Sequence, residues 1–436
     1  MANSRLTRNI SSAGSSQRGT LSMWVKRSEA PASGSNAYPR IYQNEYSNSN
    51  FFEVFFTNGG ELQVDNYASD STNLRLRTNR KFRDFSAWYH ILISIDTTQN
   101  TEADRCKIYI NGTQETSFGT STYPSQNTNL LLTNSGYQQH IGYSGYSSEQ
   151  YFGGYISHAA YIDGTALTPT TFGSIDSTSG IWKFKSPSGV TWGTNGFHLK
   201  FENSGALGTD SSGNSNTFTV NGNLKQSLDT PSNVYCTMNP LYNFYRDPTL
   251  SIGNTKIVDT NGWSGAKATL GFSTGKWYWE IKLTGTMENH IHGVQQENVD
   301  VISQDPQQRT GTTVFYNHDG GEMRTDGTQT TADYGTFSSG DIMGVAVDMT
   351  AGSYGQMTIY KNGVALVSNF NLSSSSTTVM PFSTVGNCTT EYNFGNGYFG
   401  TTAITSAGSN GNGSLFEYDV PSGYYALNTK NLNTYG

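Results

Sequence analysis

The sequence is poor in charge. Asp, Glu, Lys and Arg together make up 14% of its 436 residues. The balance is acidic, with a formal net charge of −7 and no Lys/Arg cluster. That argues against a nucleic-acid partner, because replacing the counterions of phosphates takes a patch of cations. Cysteine is scarce. Cys106, Cys236 and Cys388 are odd in number and far apart. They give neither a disulfide framework nor metal-ligand spacing, so buried free thiols are expected. No apolar run approaches the length of a membrane-spanning helix. The opening stretch, MANSRLTRNISSAGSSQRG, lacks the apolar segment of a secretory signal. No long 3.6-residue apolar period is present either, so few helices are expected.

What is there is Gly, Ser, Thr and Asn in abundance, 27 Tyr, and 34% apolar residues. This is not the highly charged composition of a disordered chain. It resembles that of extracellular or virion β-proteins, in which polar turns join short strands. The length suffices for two or three domains, each with a real core.

One stretch organises the rest. Gly340 to Gly363, GDIMGVAVDMTAGSYGQMTIYKNG, reads as strand, turn, strand, turn. Met343, Val345 and Val347 share one face of the first strand, and Gly344 and Ala346 share the other. A bulky face and a small face together suggest a strand packed on both sides. Asn362-Gly363 is a type I′ hairpin signal, since both residues tolerate positive φ. Trp88 to Gly112, WYHILISIDTTQNTEADRCKIYING, repeats the pattern: an apolar strand ending in Asp96, a polar loop, a strand KIYI, then Asn111-Gly112. Two copies suggest two all-β domains of related architecture.

Further strands are expected at TLSMWVKR, IYQNEY, FFEVFFT, ELQVD and LRLRT, with FHLKF (197–201) closing the first sandwich. Pro169 is placed to begin a single helical turn. The Gly/Ser/Asn-rich stretch 207–223 reads as a loop or boundary, and 407–414 as a flexible joint.

Residues 20–201 resemble laminin-G-like, concanavalin A-like lectin domains. The resemblance is carried by TLSMWVKRS, WYHILISID, KIYING and GGYISHAAYIDGTALTPTTFG. Residues 240–400 resemble a SPRY domain, carried by GKWYWEIKL, the Gly340–Gly363 unit, PFSTVG and YNFGNGYFG. The resemblance implies an all-β chain of two concanavalin A-like antiparallel β-sandwiches in tandem. The domains are then 1–203, a linker 204–239, a second sandwich 240–400 and a C-terminal tail 401–436. The combination resembles virion proteins of marine tailed bacteriophages, cyanophages among them.

Several residues invite chemistry. Concanavalin-like glycosidases place acids on one strand face as Glu-x-Asp-x-(x)-Glu, and no such run is present. Glu61 and Asp65 share a strand face, which a solvated strand edge explains better than a catalytic pair. Glu280 stands among aromatic residues, where a structural cap or pair is expected. His290 and His292 form a His-x-His pair with no third metal ligand evident. Asp96, Asn100, Glu102 and Asp104 offer hard oxygens for Ca²⁺, as do Asp210, Asn214 and Asn216. Asx turns explain both sets without a metal, and no cofactor is expected. Tyr137, Tyr143, Tyr146 and Tyr151, within YQQHIGYSGYSSEQYF, are candidates for stacking on sugar rings, and Tyr424 and Tyr425 add to them. Filling the sandwich rim or an intersubunit contact accounts for the same tyrosines. The SPRY resemblance implies a binding surface near Thr286–Arg309 and Asn317–Thr336.

The expected function is that of a non-enzymatic phage virion protein: a tail fibre, tail tip or spike presenting lectin-like domains to a host-surface glycan or protein. Its partners would be other virion proteins and further copies of itself in a homo-oligomer. Its site would be the virion surface, after synthesis in the host cytoplasm and without membrane insertion. The absence of coiled-coil heptads favours an alternative, a capsid decoration or head-fibre protein whose sandwiches grip neighbours. A polysaccharide-degrading enzyme is the third possibility.

Overall fold

The computed structural model describes residues 4–28, 38–146, 150–242, 248–260, 262–299, 310–318, 320–374 and 377–436. The chain forms two compact units, Met1–Gln226 and Ser227–Gly436.

In unit 1, β1 spans Arg5–Asn9, β2 Arg18–Arg27, β3 Arg40–Ser47 and β4 Asn50–Phe56. Then come β5 (Glu61–Ala68), β6 (Ser71–Lys81), β7 (Tyr89–Asp96) and β8 (Cys106–Ile110). Next are β9 (Thr113–Glu115), β10 (Phe118–Thr122), β11 (Gln138–Ile141) and β12 (Gly154–Asp163). The unit ends with β13 (Gly173–Ile175), β14 (Trp182–Phe184), β15 (Phe197–Leu199) and β16 (Thr219–Asn221). An eight-stranded sheet runs β10-β6-β5-β4-β3-β11-β1-β16, and a six-stranded sheet runs β15-β12-β2-β7-β8-β9. Alternation decides what lies between them. Leu21, Met23 and Val25 of β2 and Phe52, Val54 and Phe56 of β4 bury in the shared core. The other face of the six-stranded sheet is covered by residues 165–192, which is why Leu92, Ala160 and Ile162 are also buried. Pro169 opens a single 3₁₀ turn at Pro169–Thr171, as expected.

FHLKF is not the last strand of this unit. The chain returns through 204–221, Phe218 enters the core, and β16 pairs with β1. Asp210 fastens the return, accepting N–H bonds from His198, Ser212 and Asn216, each at 2.8 Å. The stretch expected as a linker is therefore divided. Its first part belongs to unit 1, while Cys236 and Met238 lie in the core of unit 2.

In unit 2, β17 spans Thr249–Ser251, β18 Lys256–Val258, β19 Trp263–Lys267 and β20 Lys276–Gly285. Then come β21 (His290–Gln296), β22 (Thr312–Tyr316), β23 (Glu322–Thr325) and β24 (Thr328–Gln329). β25 is Ile342–Asp348, β26 Gln356–Lys361, β27 Val364–Asn371, β28 Val379–Gly386 and β29 Cys388–Asn393. One sheet runs β17-β18-β29-β20-β25-β26-β27, and the other β19-β28-β21-β22-β23-β24. Trp277, Trp279 and Ile281 of β20 and Met343, Val345 and Val347 of β25 fill the core between them. Both faces of β25 are packed, as its two-faced sequence suggested. A Cβ at Gly344 would stand 2.7 Å from the Tyr278 hydroxyl, so the small face is small because Tyr278 lies over it. Residues 401–436 are not a free tail. Phe416, Val420, Ala426 and Leu427 are buried, and the helix α1 (Thr429–Tyr435) is capped by Asn428, whose side chain accepts the Asn431 N–H.

The repeated motif is real in three dimensions. Asn111 and Asn362 both adopt φ 49°, followed by Gly112 at 81° and Gly363 at 80°. Asp96 accepts from Thr98 N and Oγ1 at 3.1 and 2.6 Å, and Asp348 from Thr350 N and Oγ1 at 2.8 and 2.6 Å. The three cysteines are buried and form no disulfide with one another. Among the described residues no helix is long and apolar enough to cross a membrane.

Candidate functional site

The face of the eight-stranded sheet that points away from the core of unit 1 carries a polar row. Thr7, His140, Gln43, Glu53, Asp65 and Arg75 stand opposite one another on successive strands. Glu53 is 2% exposed. Arg40 grips it in a fork, Nε to Oε2 and Nη2 to Oε1, both at 3.1 Å. Gln43 and the Tyr146 hydroxyl add donors at 3.0 and 3.1 Å. Burial pushes the Glu53 carboxyl above its ordinary range, and Arg40 opposes that shift. Its neighbour Asp65 is held by Arg75 at 2.8 Å and by Gln63 at 2.9 Å. Each carboxylate thus has its own guanidinium. A glycosidase needs two carboxyls free to face a sugar across a cleft, and this adjacent pair is already engaged. The Glu61–Asp65 pairing from sequence does not converge either, since Glu61 turns to Thr57 and Lys81.

The four candidate tyrosines fall into three environments. Tyr146 is tethered between Glu53 and Arg40 and packs on Phe51. Tyr143 and Tyr151 lie together with ring centroids 4.6 Å apart. Arg5 orders them, its guanidinium 4.7 Å from the Tyr143 centroid and 3.2 Å from the Tyr151 hydroxyl. Tyr137 stands at the rim, stacked on Tyr46 at 5.5 Å and 28°. Tyr46 is 70% exposed. Sequence reasoning missed Tyr46 and Arg5. The only local signal for Tyr46 is an aromatic residue closing a strand before the polar SNSN turn, and its partner lies 91 positions away. In unit 2, Tyr425 stacks on Tyr435 at 3.7 Å, and Lys276 lies 5.7 Å from the Tyr424 ring.

The oxygen-rich loops satisfy themselves. Asp96 accepts from Thr98, Gln99 and Arg18. These bonds outweigh burial and hold its carboxyl down to about 2. Asn100 accepts from Gln126 at 2.9 Å, and Asp104 pairs with Lys107 at 2.8 Å. Asn214 and Asn216 donate to the carbonyl oxygen of Gly196. Asx-turn chemistry accounts for these positions. Among the described residues no group of three His, Cys, Asp or Glu side chains gathers as a metal site.

His290 and His292 are both bonded within unit 2. His290 Nε2 faces the Thr284 carbonyl at 3.3 Å, so it carries the proton and Nδ1 accepts from His292 Nε2 at 3.2 Å. His292 Nδ1 then accepts from Ser383 at 2.8 Å. A Ser–His contact that the sequence did not reveal lies in unit 1, where Ser22 Oγ is 2.9 Å from His90 Nε2. Trp182 donates to His90 Nδ1 at 3.0 Å, which leaves the proton on Nε2. His90 therefore donates to Ser22 and does not activate it as a base would.

Of the loops implied by the SPRY resemblance, 300–309 and residue 319 lie outside the described residues. Lys267 braces residues 296–299, donating to the carbonyls of Gln296, Glu297 and Val299 at 2.7, 3.1 and 3.0 Å. Asn317 ties the second loop to Met287 and Phe337. Glu280 caps, as expected: its buried carboxylate accepts from Tyr278, Asn393, Glu417 N and Tyr418 N.

Each unit is a two-sheet sandwich of antiparallel strands. Residues 3–171 match the concanavalin A-like lectin/glucanases superfamily, and residues 276–397 match the SPRY domain. The chain therefore carries a concanavalin A-like domain followed by a SPRY domain. Among solved structures, the SPRY domain of human HERC1 is 14% identical, with a TM-score of 0.30, over 36% of this chain and 96% of that one. The TRIM65 PSpry domain is 14% identical, with a TM-score of 0.28, over 36% and 88%. A heptameric SAP-like pentraxin from Limulus polyphemus is 16% identical, with a TM-score of 0.30, over 43% and 82%. No curated protein matches the chain.

Proposed function

We propose that the protein is a non-catalytic recognition protein that holds surface carbohydrate on the tyrosine rim of unit 1. It does so from a virion surface, as part of a tail fibre, tail tip or spike. One observation carries the recognition half of this reading: Tyr46 is exposed and braced by Tyr137, while the carboxylates of the same sheet are locked in ion pairs. A braced tyrosine presents a flat apolar face at little entropic cost, which suits a sugar ring. The virion setting rests on the resemblance to marine phage proteins and on composition. Many copies on one particle make weak contacts sufficient.

The test is binding of the purified protein to host cells and to their isolated surface polysaccharide, with gold-labelled antibody locating it on the particle. Saturable binding that blocks adsorption, with label at the tail, supports the reading. One observation favours the alternative of a capsid decoration protein: Tyr143, Tyr146 and Tyr151 are engaged within the unit. Label spread over the capsid, without binding to cells, would establish that alternative. Reducing ends released from the polysaccharide would instead mark an enzyme.

A further inference from the structure

The β20–β25–β26 face that points away from the core of unit 2 is closed by residues 404–426. Phe416, Val420 and Ala426 of this segment bury against Tyr278, Ala346 and Tyr235. Its ladder pairing with the sheet is confined to Tyr425 and Ala426 beside Trp277 and Tyr278. Upstream of that pairing its backbone is held at two points by the 395–397 turn, Leu415 N–H to the Gly395 carbonyl at 2.8 Å and Ile404 N–H to the Gly397 carbonyl at 3.0 Å, and otherwise by side chains. Glu280 Oε2 accepts the Glu417 N–H at 2.8 Å and Oε1 the Tyr418 N–H at 2.9 Å. Asn393 bridges the same join, donating to Glu280 Oε2 at 3.2 Å and to the Leu415 carbonyl at 2.9 Å.

The surroundings of Glu280 are unusual for a carboxylate. It is completely buried, and among the described residues no cation pairs with it. Its cross-strand neighbours are Gly344 and Asn393. Tyr278 lies 3.3 Å away, with Tyr360 packed against Tyr278. From the covering segment come Tyr418 and the backbone of Glu417, whose own carboxylate turns aside to accept the Thr405 N–H at 2.7 Å. Asp341, near Tyr418, is paired with Lys361 at 3.2 Å. Ionised Glu280 therefore has only hydrogen bonds in place of water. Protonated, it can turn its O–H to the Tyr278 oxygen and keep both backbone bonds on its remaining lone pairs.

We propose that Glu280 is a proton-operated latch: the 404–426 strap closes on the sheet when Glu280 is protonated and loosens when it is ionised, uncovering Tyr278, Ala346 and Tyr360. Opening returns water to the carboxylate, so the open form ionises more readily than the closed one. Burial outweighs the four donors and raises the closed carboxyl from its ordinary 4.5 to about 7. The closed form thus binds the proton more tightly. Closure is firmest below pH 4.5, weakens as pH rises to about 7, and is level above that. The open-to-closed ratio changes by up to roughly 100-fold across the window.

Hydrogen exchange on the full chain tests the latch, with rates at each pH divided by those of the unstructured peptide. Protection of the Glu417 and Tyr418 amides is expected to fall on the order of 100-fold between about pH 5 and about pH 8. The amides of Val345 and Val347 in β25 should stay level. Glu280→Gln, neutral at every pH, should flatten the profile of the strap. A flat profile in the unaltered protein overturns the proposal, and so does an equal slope in Glu280→Gln. If that variant does not fold, the unaltered protein decides alone.

Discussion

The side-chain oxygen of Asn362 accepts the backbone N–H of Ile342 at 2.9 Å, while its own N–H donates to the Ile342 carbonyl at 2.9 Å. Asn111 does the same to His90 in unit 1, at 2.8 and 2.9 Å. Each asparagine turns a hairpin with positive φ and pins the start of the strand preceding that hairpin. Two constraints meet in one residue type, which is why Asn-Gly recurs at both places. Asn362→Ala should lose the bond and strain the turn, lowering the stability of unit 2 by about 1–2 kcal/mol. Asn362→Gly should lose the side-chain bonds, one from the Ile342 N–H and an exposed one to Asp341, without straining the turn, and fall by about 1 kcal/mol. Calorimetric melting of both variants measures the difference.

The Arg40–Glu53 fork makes a sharper prediction. Both side chains are about fully buried, at 5% and 3% exposure. Glu53→Ala leaves a guanidinium without its partner and should destabilise unit 1 by about 3–5 kcal/mol. Replacing both with Met should be far milder, because no charge then remains buried. Chemical denaturation of the two variants checks the order.

The Asp96 loop bears on calcium. Its oxygens are taken by Thr98, Gln99 and Arg18, so a cation would have to break existing bonds. Adding Ca²⁺ to chelator-treated protein should leave the melting temperature of unit 1 unchanged. A rise that saturates with Ca²⁺ would show that these loops reorganise into a metal site.

Acid should weaken unit 1 through His90. Burial pushes its pKa from 6.5 down to about 3. Folding therefore favours the neutral ring, and the stability this implies is present above pH 6.5 and lost as pH falls. At pH 4 the loss should reach about 3 kcal/mol. Denaturation midpoints over that range measure it. In unit 2 burial lowers His290 to about 4 and His292 well below its ordinary value, so acid should weaken that unit too, and the opposite Glu280 effect is read at the strap amides.

Much of the fold was legible because its signals are local. Alternation of Met343, Val345 and Val347 placed the inner face of their strand, and Gly344 and Ala346 announced a second packed face. Asp-loop-strand-Asn-Gly announced the duplication. What was not legible depends on distant pairing. β16 joins β1 across some two hundred positions, so a Gly/Ser/Asn-rich stretch read as linker. Residues 401–436 read as a tail because their cover, Glu280 and Tyr278, is far upstream. The tyrosines were found as a group, but their division was hidden. Glu53 claims Tyr146, Arg5 claims Tyr151, and only Tyr137 shares a rim with an exposed ring.

The most direct measurement is the affinity of the purified protein for isolated host-surface polysaccharide, compared with its Tyr46→Ala and Tyr137→Ala variants. The expected result is saturable binding without release of reducing ends, weakened about tenfold or more by either substitution while the melting temperature holds. Binding unchanged in both variants, or no binding by the unaltered protein, would contradict recognition at this rim.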